Sequence, residues 1–421
     1  MGECNSLANA ITIVIENYFL LFLDPEFILL MALVVALVAL QYRRSESARA
    51  EMFGVKTSRV WRDTAAATLF GLAGGLAGSF LMVLAGLPVT GSGSVFILLL
   101  LIAGLLMLIN PRFLCFAYAG GIISLLNIFT GWPQVNIYQV LALVALLHMV
   151  ESILIFFSGH LGAVPAYFED GSGRMVGGFT LQKFWPIPLV ALTVTGYSLY
   201  PGAFSGMPEW WPLIKPDLAG DRNHMEYVLV SVVAGLGYGD LAIARNPREK
   251  SRLSAFYLAL YSITLFLLSA LAQYLRPLAL VAALFSPLGH ELVIYIGKRI
   301  EMAGRPMFAL STRGVRVLDV LVGSTAWHMG IRSGDVLIAL NGIPLRDRWT
   351  MAQALEHVRG PLEIEYLRGQ SQVYSRGVAF RDDAGKPLGV LPVYEGERGY
   401  IDLNPPPLWK RLVSWWKKNR R

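Results

Sequence analysis

Charge is what this sequence has least of. Only 65 of its 421 residues are Asp, Glu, Lys or Arg, 15% of the chain, where a soluble domain carries roughly 25%. An ordinary water-soluble enzyme is excluded on that ground. Cysteine is scarcer still, Cys4 and Cys115 being the only two. No even, regularly spaced set exists to cross-link an extracellular fold, so any soluble part must rest on its own core. The extreme N-terminus lacks the basic region of a cleavable signal, and Glu16 and Asn17 interrupt the first apolar run. That stretch is expected to be retained. Met1 to Ser6 fits the loose N-myristoylation pattern, with Cys4 as an acylation site, but a chain with many spans needs no lipid anchor.

What is present in excess is apolar. Hydrophobic residues make 55% of the chain, and 41 glycines bring the apolar total to about 65%. Residues 1–297 hold 16 basic and 17 acidic side chains, whereas residues 298–421 hold 20 and 12. Charge density thus rises from 11% to 26% at Gly297, as expected where a chain leaves lipid and enters water. Ten apolar stretches precede that point: Ala10 to Leu23, Phe27 to Tyr42, Thr64 to Val89, Val95 to Ile109, Phe113 to Phe129, Ile137 to Phe157, Trp185 to Phe204, Tyr227 to Ala244, Ser254 to Leu275 and Pro277 to Ile296. A crossing helix needs about 17–25 residues, so the first and fourth stretches could instead be re-entrant or extended by their flanks. The expected fold is an α-helical polytopic membrane domain of about 8 to 10 spans over residues 1–297, a linker over 298–305, a small soluble α+β domain with a C-terminal extension over 306–400, and a basic tail over 401–421.

Lys and Arg placement gives an orientation. Arg43, Arg44, Arg49, Lys56, Arg59 and Arg62 separate the second and third stretches, Arg245 to Arg252 the eighth and ninth, and Lys298 and Arg299 follow the tenth. All three groups fall on one side of a ten-span scheme, which places both termini in the cytoplasm. A nine-span scheme moves only the N-terminus. Gly71, Gly74, Gly75 and Gly78 form two overlapping G-x-x-x-G pairs that let a neighbouring helix approach closely. The glycine-rich run Gly235 to Asp240 lacks the Lys-Ser/Thr of a phosphate loop and reads as a helix break or close packing.

Ionisable residues inside apolar stretches are functional candidates by default: Glu16, His148, Glu151, Asp240, His290 and Glu291. His290-Glu291 begins like the H-E-x-x-H zinc motif, but Ile294 stands where the second His belongs, so a ligand is missing. His148 with Glu151 begins like the inverted H-x-x-E-H motif and lacks its final His. No catalytic set, metal or cofactor is therefore assigned. Three residues apart on one helix face, His148 and Glu151 can satisfy each other or a neighbouring helix.

From Met307 short Val, Ile and Leu runs bounded by Gly, Asp and Asn predict strands at 315–322, 335–340 and 362–367, a helical turn at 326–329, a turn at Asn341-Gly342 and a helix at 349–358. Gly323 to Ile331, Ser333 to Ile338 and Asn341-Gly342 stand in the order typical of bacterial PDZ domains, and the segment resembles that family over about ninety residues. The resemblance implies an extended peptide added beside a strand, its carboxylate seated on the preceding loop. It places that loop at Thr312, Arg313, Gly314 and Val315, and a side-chain pocket at Val315, Val317, Met351, Ala354 and Leu355. The plainer reading is that these pocket residues fill a small core.

The tail carries an amphipathic helix with Leu408, Trp409, Leu412, Val413, Trp415 and Trp416 on one arc and Lys410, Arg411, Lys417 and Lys418 opposite. It reads as lying on anionic lipid; no nucleic-acid fold accompanies it, so nucleic acid is not expected as a partner. Many spans followed by one PDZ-like module, with no intact catalytic set, resemble the MinJ-type division topology factors of Gram-positive bacteria. The resemblance implies a scaffold at septum or poles of the cell membrane, with a cytoplasmic PDZ domain and DivIVA-type and Min-system proteins as partners. A degenerate or unusual site-2-type intramembrane peptidase and a transporter with a regulatory PDZ domain are the competing classes.

Overall fold

The computed structural model describes residues 2–53, 59–89, 94–169, 175–197, 204, 207–216, 225–357, 361–369, 371–378, 388–393 and 400–401. Its N-terminal part contains helices α1 (Gly2–Leu20), α2 (Pro25–Phe53), α3 (Val60–Ala85), α4 (Ser94–Ile109), α5 (Phe116–Thr130) and α6 (Ile137–Ser158). Strands β1 (Val164–Glu169), β2 (Met175–Tyr197) and β3 (Met225–Ala242) follow, and α7 (Pro247–Ala272) and α8 (Pro277–Ala303) complete it. Five of these helices, α2, α3, α6, α7 and α8, are long and apolar enough to cross a membrane; the apolar helices Leu7–Leu23, Val95–Ile109 and Phe116–Thr130 are shorter.

The seventh and eighth apolar stretches are not helices. They are the long antiparallel hairpin β2–β3, paired from Phe179↔Ala242 to Tyr197↔Met225 with one irregularity at Val194/Gly196. Hydropathy cannot separate a buried strand from a buried helix. Here Pro186 and Pro188, two residues apart, disfavour a helix interior, as do Val228, Val230, Val232 and Val233 followed by Gly235, Gly237 and Gly239. A strand edge among membrane helices must have its backbone groups covered or satisfied. Along the edge of β2 facing α3, Pro186 and Pro188 have no N–H to leave unpaired, the Val190 N–H donates to Ser79 Oγ at 2.9 Å, and the Leu192 carbonyl accepts from the Val89 N–H at 2.8 Å. The partner of the glycine stripe is therefore this strand: a Cβ at Gly71 or Gly75 would collide with the carbonyl oxygen of Pro186 or Pro188.

Two helix breaks shape the rest. Leu21–Leu23 form a single 3-10 turn between α1 and α2. Ala10 and Val14 of α1 cluster with Val83, Leu192 and Trp211, near the C-terminal end of α3, whereas Arg49 of α2 lies by Arg59, just before its first residue. The first half of α1 thus packs near the end of α3 away from the C-terminal module. The second break, at residues 110–115, lies beside the middles of α6 and α8.

The C-terminal module contains β4 (Val315–Val320), α9 (Thr325–His328), β5 (Val336–Leu340), β6 (Ile343–Pro344), α10 (Arg348–Glu356), β7 (Pro361–Arg368), β8 (Ser371–Val378), β9 (Val390–Pro392) and β10 (Tyr400–Ile401). The elements expected between residues 315 and 367 are all there, within two residues at each boundary. Local chemistry explains why: Ser324 caps α9 through the Trp327 N–H, Asp347 and Thr350 form a capping box on α10, and Asn341 (φ 49°) and Gly342 (φ 77°) make the β5–β6 turn. Buried Asp335 accepts from the Arg332 N–H at 2.8 Å and from Arg368 at 2.7 and 3.0 Å, tying the turn before β5 to β7. The sheet runs β8-β7-β5-β4-β9, with β6 on β5.

The module is docked on the membrane domain. Leu318, Leu391, Val393 and Phe308 share one core cluster with Tyr167, Phe179 and the helices. Tyr167 Oη donates to the Pro392 carbonyl at 2.6 Å, the Gly177 N–H donates to Phe308 at 2.9 Å, and β10 pairs in parallel with β1. Arg49 at the end of α2 reaches both the Ala163 carbonyl and, at 3.6 Å, the Asp319 carboxylate of β4. Burial pushes the Asp319 carboxyl up, and Arg49 draws it back down. Arg49→Ala is expected to weaken docking by about 1 kcal/mol because it leaves two part-buried acceptors without their shared donor. Faster amide exchange at Gly177, largely rescued by adding Asp319→Asn, checks this; unchanged exchange refutes it.

Candidate functional site

Polar side chains meet where α4 and α5 fail to join. Pro111–Phe113 form one 3-10 turn, and Cys115 (φ −145°) caps α5, its sulfur accepting the Ala117 N–H at 3.4 Å. Irregular backbone at this height needs protein cover. α8 supplies it: Ser286 Oγ donates to the Ala117 carbonyl at 2.7 Å, and Gly121 leaves room for Pro287. The break lies beside mid-helix residues of α6 and α8, so Val95–Ile109, a shorter apolar helix, ends level with their middles.

Three side chains from three elements converge there. Cys115 Sγ lies 3.2 Å from His148 Nε2 and 3.7 Å from His290 Nε2, and the three atoms lie within 4.8 Å of one another. Of the two partners expected for His148, Glu151 or a neighbouring element, the second is found: Nδ1 donates to the Val144 carbonyl at 2.7 Å, leaving Nε2 for the sulfur. Glu291 accepts from Tyr118 Oη at 2.6 Å and is paired with Arg112, which sits in the helix break. Tyr118 Oη is in turn 3.4 Å from His290 Nδ1. Glu151 makes no hydrogen bond among the described residues but lies close enough to Cys115 to act on it electrostatically.

Asp240, near the end of β3, belongs to a different network. It pairs at 2.9 Å with Lys250, whose side chain is fully buried, and accepts from Ser254 at 2.6 Å and Tyr238 at 3.2 Å. Lys250 also reaches the Gly297 carbonyl at 3.4 Å. Beside it Glu301 accepts the Ile243 and Ala244 N–H groups and Arg245. These contacts fasten the β3–α7 turn to the end of α8, which is a structural role. The hydropathy pattern signals neither Glu301 nor the burial of Lys250.

The residues expected to seat a peptide are placed differently. β4 is paired on both edges, with β5 through Val315↔Leu337 and with β9 through Val320↔Val390. A peptide cannot add beside Val315 and Val317 without displacing β9. Val315, Val317, Met351 and Ala354 fill the module core, and only Leu355 is partly exposed at its margin. A side chain at Gly314 would strike the Leu337 carbonyl, so that glycine serves close packing. Thr312 and Arg313 lie on an exposed turn where Ser311 Oγ accepts the Arg313 N–H at 3.2 Å. The tail residues Lys410, Arg411, Trp415, Trp416, Lys417 and Lys418 lie outside the described residues.

These features define a class: a multi-helix membrane protein with an internal β-hairpin and a docked α+β module. No protein-family model matches the chain. Over 262 residues it is 22% identical to the cell division topological determinant MinJ of Bacillus subtilis strain 168, a stretch covering 62% of this chain and 61% of that protein. The chain therefore spans about three fifths of the length of the curated relative it matches.

Proposed function

We propose that the chain is a membrane-embedded adaptor that helps place the division site by recruiting partner proteins through its C-terminal module, a PDZ-like domain. The observation that carries this is the docked α+β module itself, held to the membrane domain through Tyr167 and Pro392 and through Arg49 and Asp319, with its α10 margin left partly exposed at Leu355. Leu355 of α10 and Val390 are partly buried apolar side chains packed at the margin of the module core, so an apolar side chain of the partner would seat over this margin. The similarity to a division determinant supports the cellular role, and the resemblance in the sequence makes DivIVA-type and Min-system proteins the candidate partners. The basic tail would rest on anionic lipid beside the cytoplasmic module.

A photo-crosslinking amino acid at position 355 or 390 tests this in dividing cells. Crosslinks to a division protein, lost when an excess of that partner's terminal peptide is co-expressed, are expected; crosslinks at position 313 alone would return the site to β4. Leu355→Glu is expected to reduce partner capture at least tenfold, the effect of losing about 1.4 kcal/mol, without altering membrane insertion.

A further inference from the structure

We propose that Cys115, His148 and His290 bind a single transition-metal ion, with zinc the best fit, at the point where α5, α6 and α8 meet. Tetrahedral zinc with Zn–S of about 2.3 Å and Zn–N of about 2.0–2.1 Å sets ligand atoms roughly 3.3–3.6 Å apart. The two sulfur–nitrogen separations, 3.2 and 3.7 Å, bracket that span before any ion is present.

The hydrogen bonding around the site points the same way. A backbone carbonyl accepts only, so His148 Nδ1 carries the proton and Nε2 presents a lone pair to the sulfur. Tyr118 spends its own proton on Glu291 at 2.6 Å, so its oxygen accepts from His290 Nδ1, and the second Nε2 also presents a lone pair. One thiol proton cannot serve two such acceptors. A cation can, and each histidine then has the outer partner that metal-bound imidazoles normally have, a carbonyl for His148 and a tyrosine–carboxylate relay for His290. Cys115 caps the first turn of a 15-residue helix and accepts a backbone N–H, which aims its sulfur between the two imidazoles, and a bound metal would itself displace the thiol proton. One soft and two borderline ligands select zinc or copper(I) over magnesium or calcium. Three protein ligands leave the fourth position open. This site stands apart from the adaptor reading; it takes the first histidine of each incomplete motif, His290 and His148, and Cys115 supplies the third ligand.

The full chain in detergent or nanodiscs, in a Cys4→Ser background and without chelator, tests the proposal by elemental analysis. One zinc per chain is expected, with Cys115→Ser and His290→Gln each losing it. Copper in place of zinc would keep the site and change the ion. Reconstitution with cobalt(II) covers variants that misfold: the Cys4→Ser protein should develop a thiolate-to-cobalt charge-transfer band that Cys115→Ser lacks. Tyr118→Phe, which breaks only the outer relay, should weaken metal affinity about 10–100-fold. Metal at background level together with no cobalt band in the Cys4→Ser protein would overturn the proposal and make the cluster ordinary polar packing.

Discussion

Gly75→Ala is expected to destabilise the membrane domain by about 3 kcal/mol, the upper end for inserting one methyl group into a packed core. The added Cβ would meet the Pro188 carbonyl oxygen on one side and Tyr18 Oη at 3.1 Å on the other. Neither can retreat: Pro188 is locked in the β2–β3 ladder opposite Val233, and Tyr18 donates to the Leu72 carbonyl at 2.6 Å. Gly104→Ala on α4 is the matched control, because nothing lies within 4 Å of its added Cβ. There the substitution should stabilise by about 0.5–1 kcal/mol through helix propensity alone. Thermal unfolding in one detergent separates the two, and equal shifts at both positions would mean that α3 does not seat the hairpin.

Lys250→Met is the second large effect. It leaves Asp240 without its cation beside the end of β3, and removing one partner of a buried pair costs about 3–5 kcal/mol. The double variant Lys250→Met with Asp240→Asn should recover most of that loss, since it removes the stranded charge as well. A transporter that used Asp240 would behave otherwise: Asp240→Asn alone would abolish solute flux while leaving stability nearly intact. Stability of the three variants, measured side by side with flux in vesicles, distinguishes a fastening role from a transport role.

How much of this was legible in the sequence depended on distance along the chain. Ser324, Asn341 and Asp347 shape caps and turns within a few residues of themselves, and the module's elements could be read from them. The β2–β3 hairpin could not be read from hydropathy, although its period-two signals, Pro186 with Pro188 and Gly235 with Gly237 and Gly239, were in view. The glycine stripe on α3 announced a close approach without saying that the visitor is a strand. Cys115 is 33 residues from His148 and 175 from His290, and no motif spacing links residues brought together by a helix break. β9 escaped for a similar reason: three residues long, it returns to cover the edge of β4 from about seventy residues further along the chain.

The central claim is that this membrane domain carries its module to the division site. Live imaging of the full chain with a C-terminal fluorescent protein in its native dividing cells tests it most directly, with the Leu355→Glu variant beside it. Fluorescence concentrated at septa and poles, with partner recruitment lost in the variant, is the predicted result. A uniform membrane rim for both proteins would contradict the division role, and a full-length fusion that stays dark would place the module on the opposite side of the membrane.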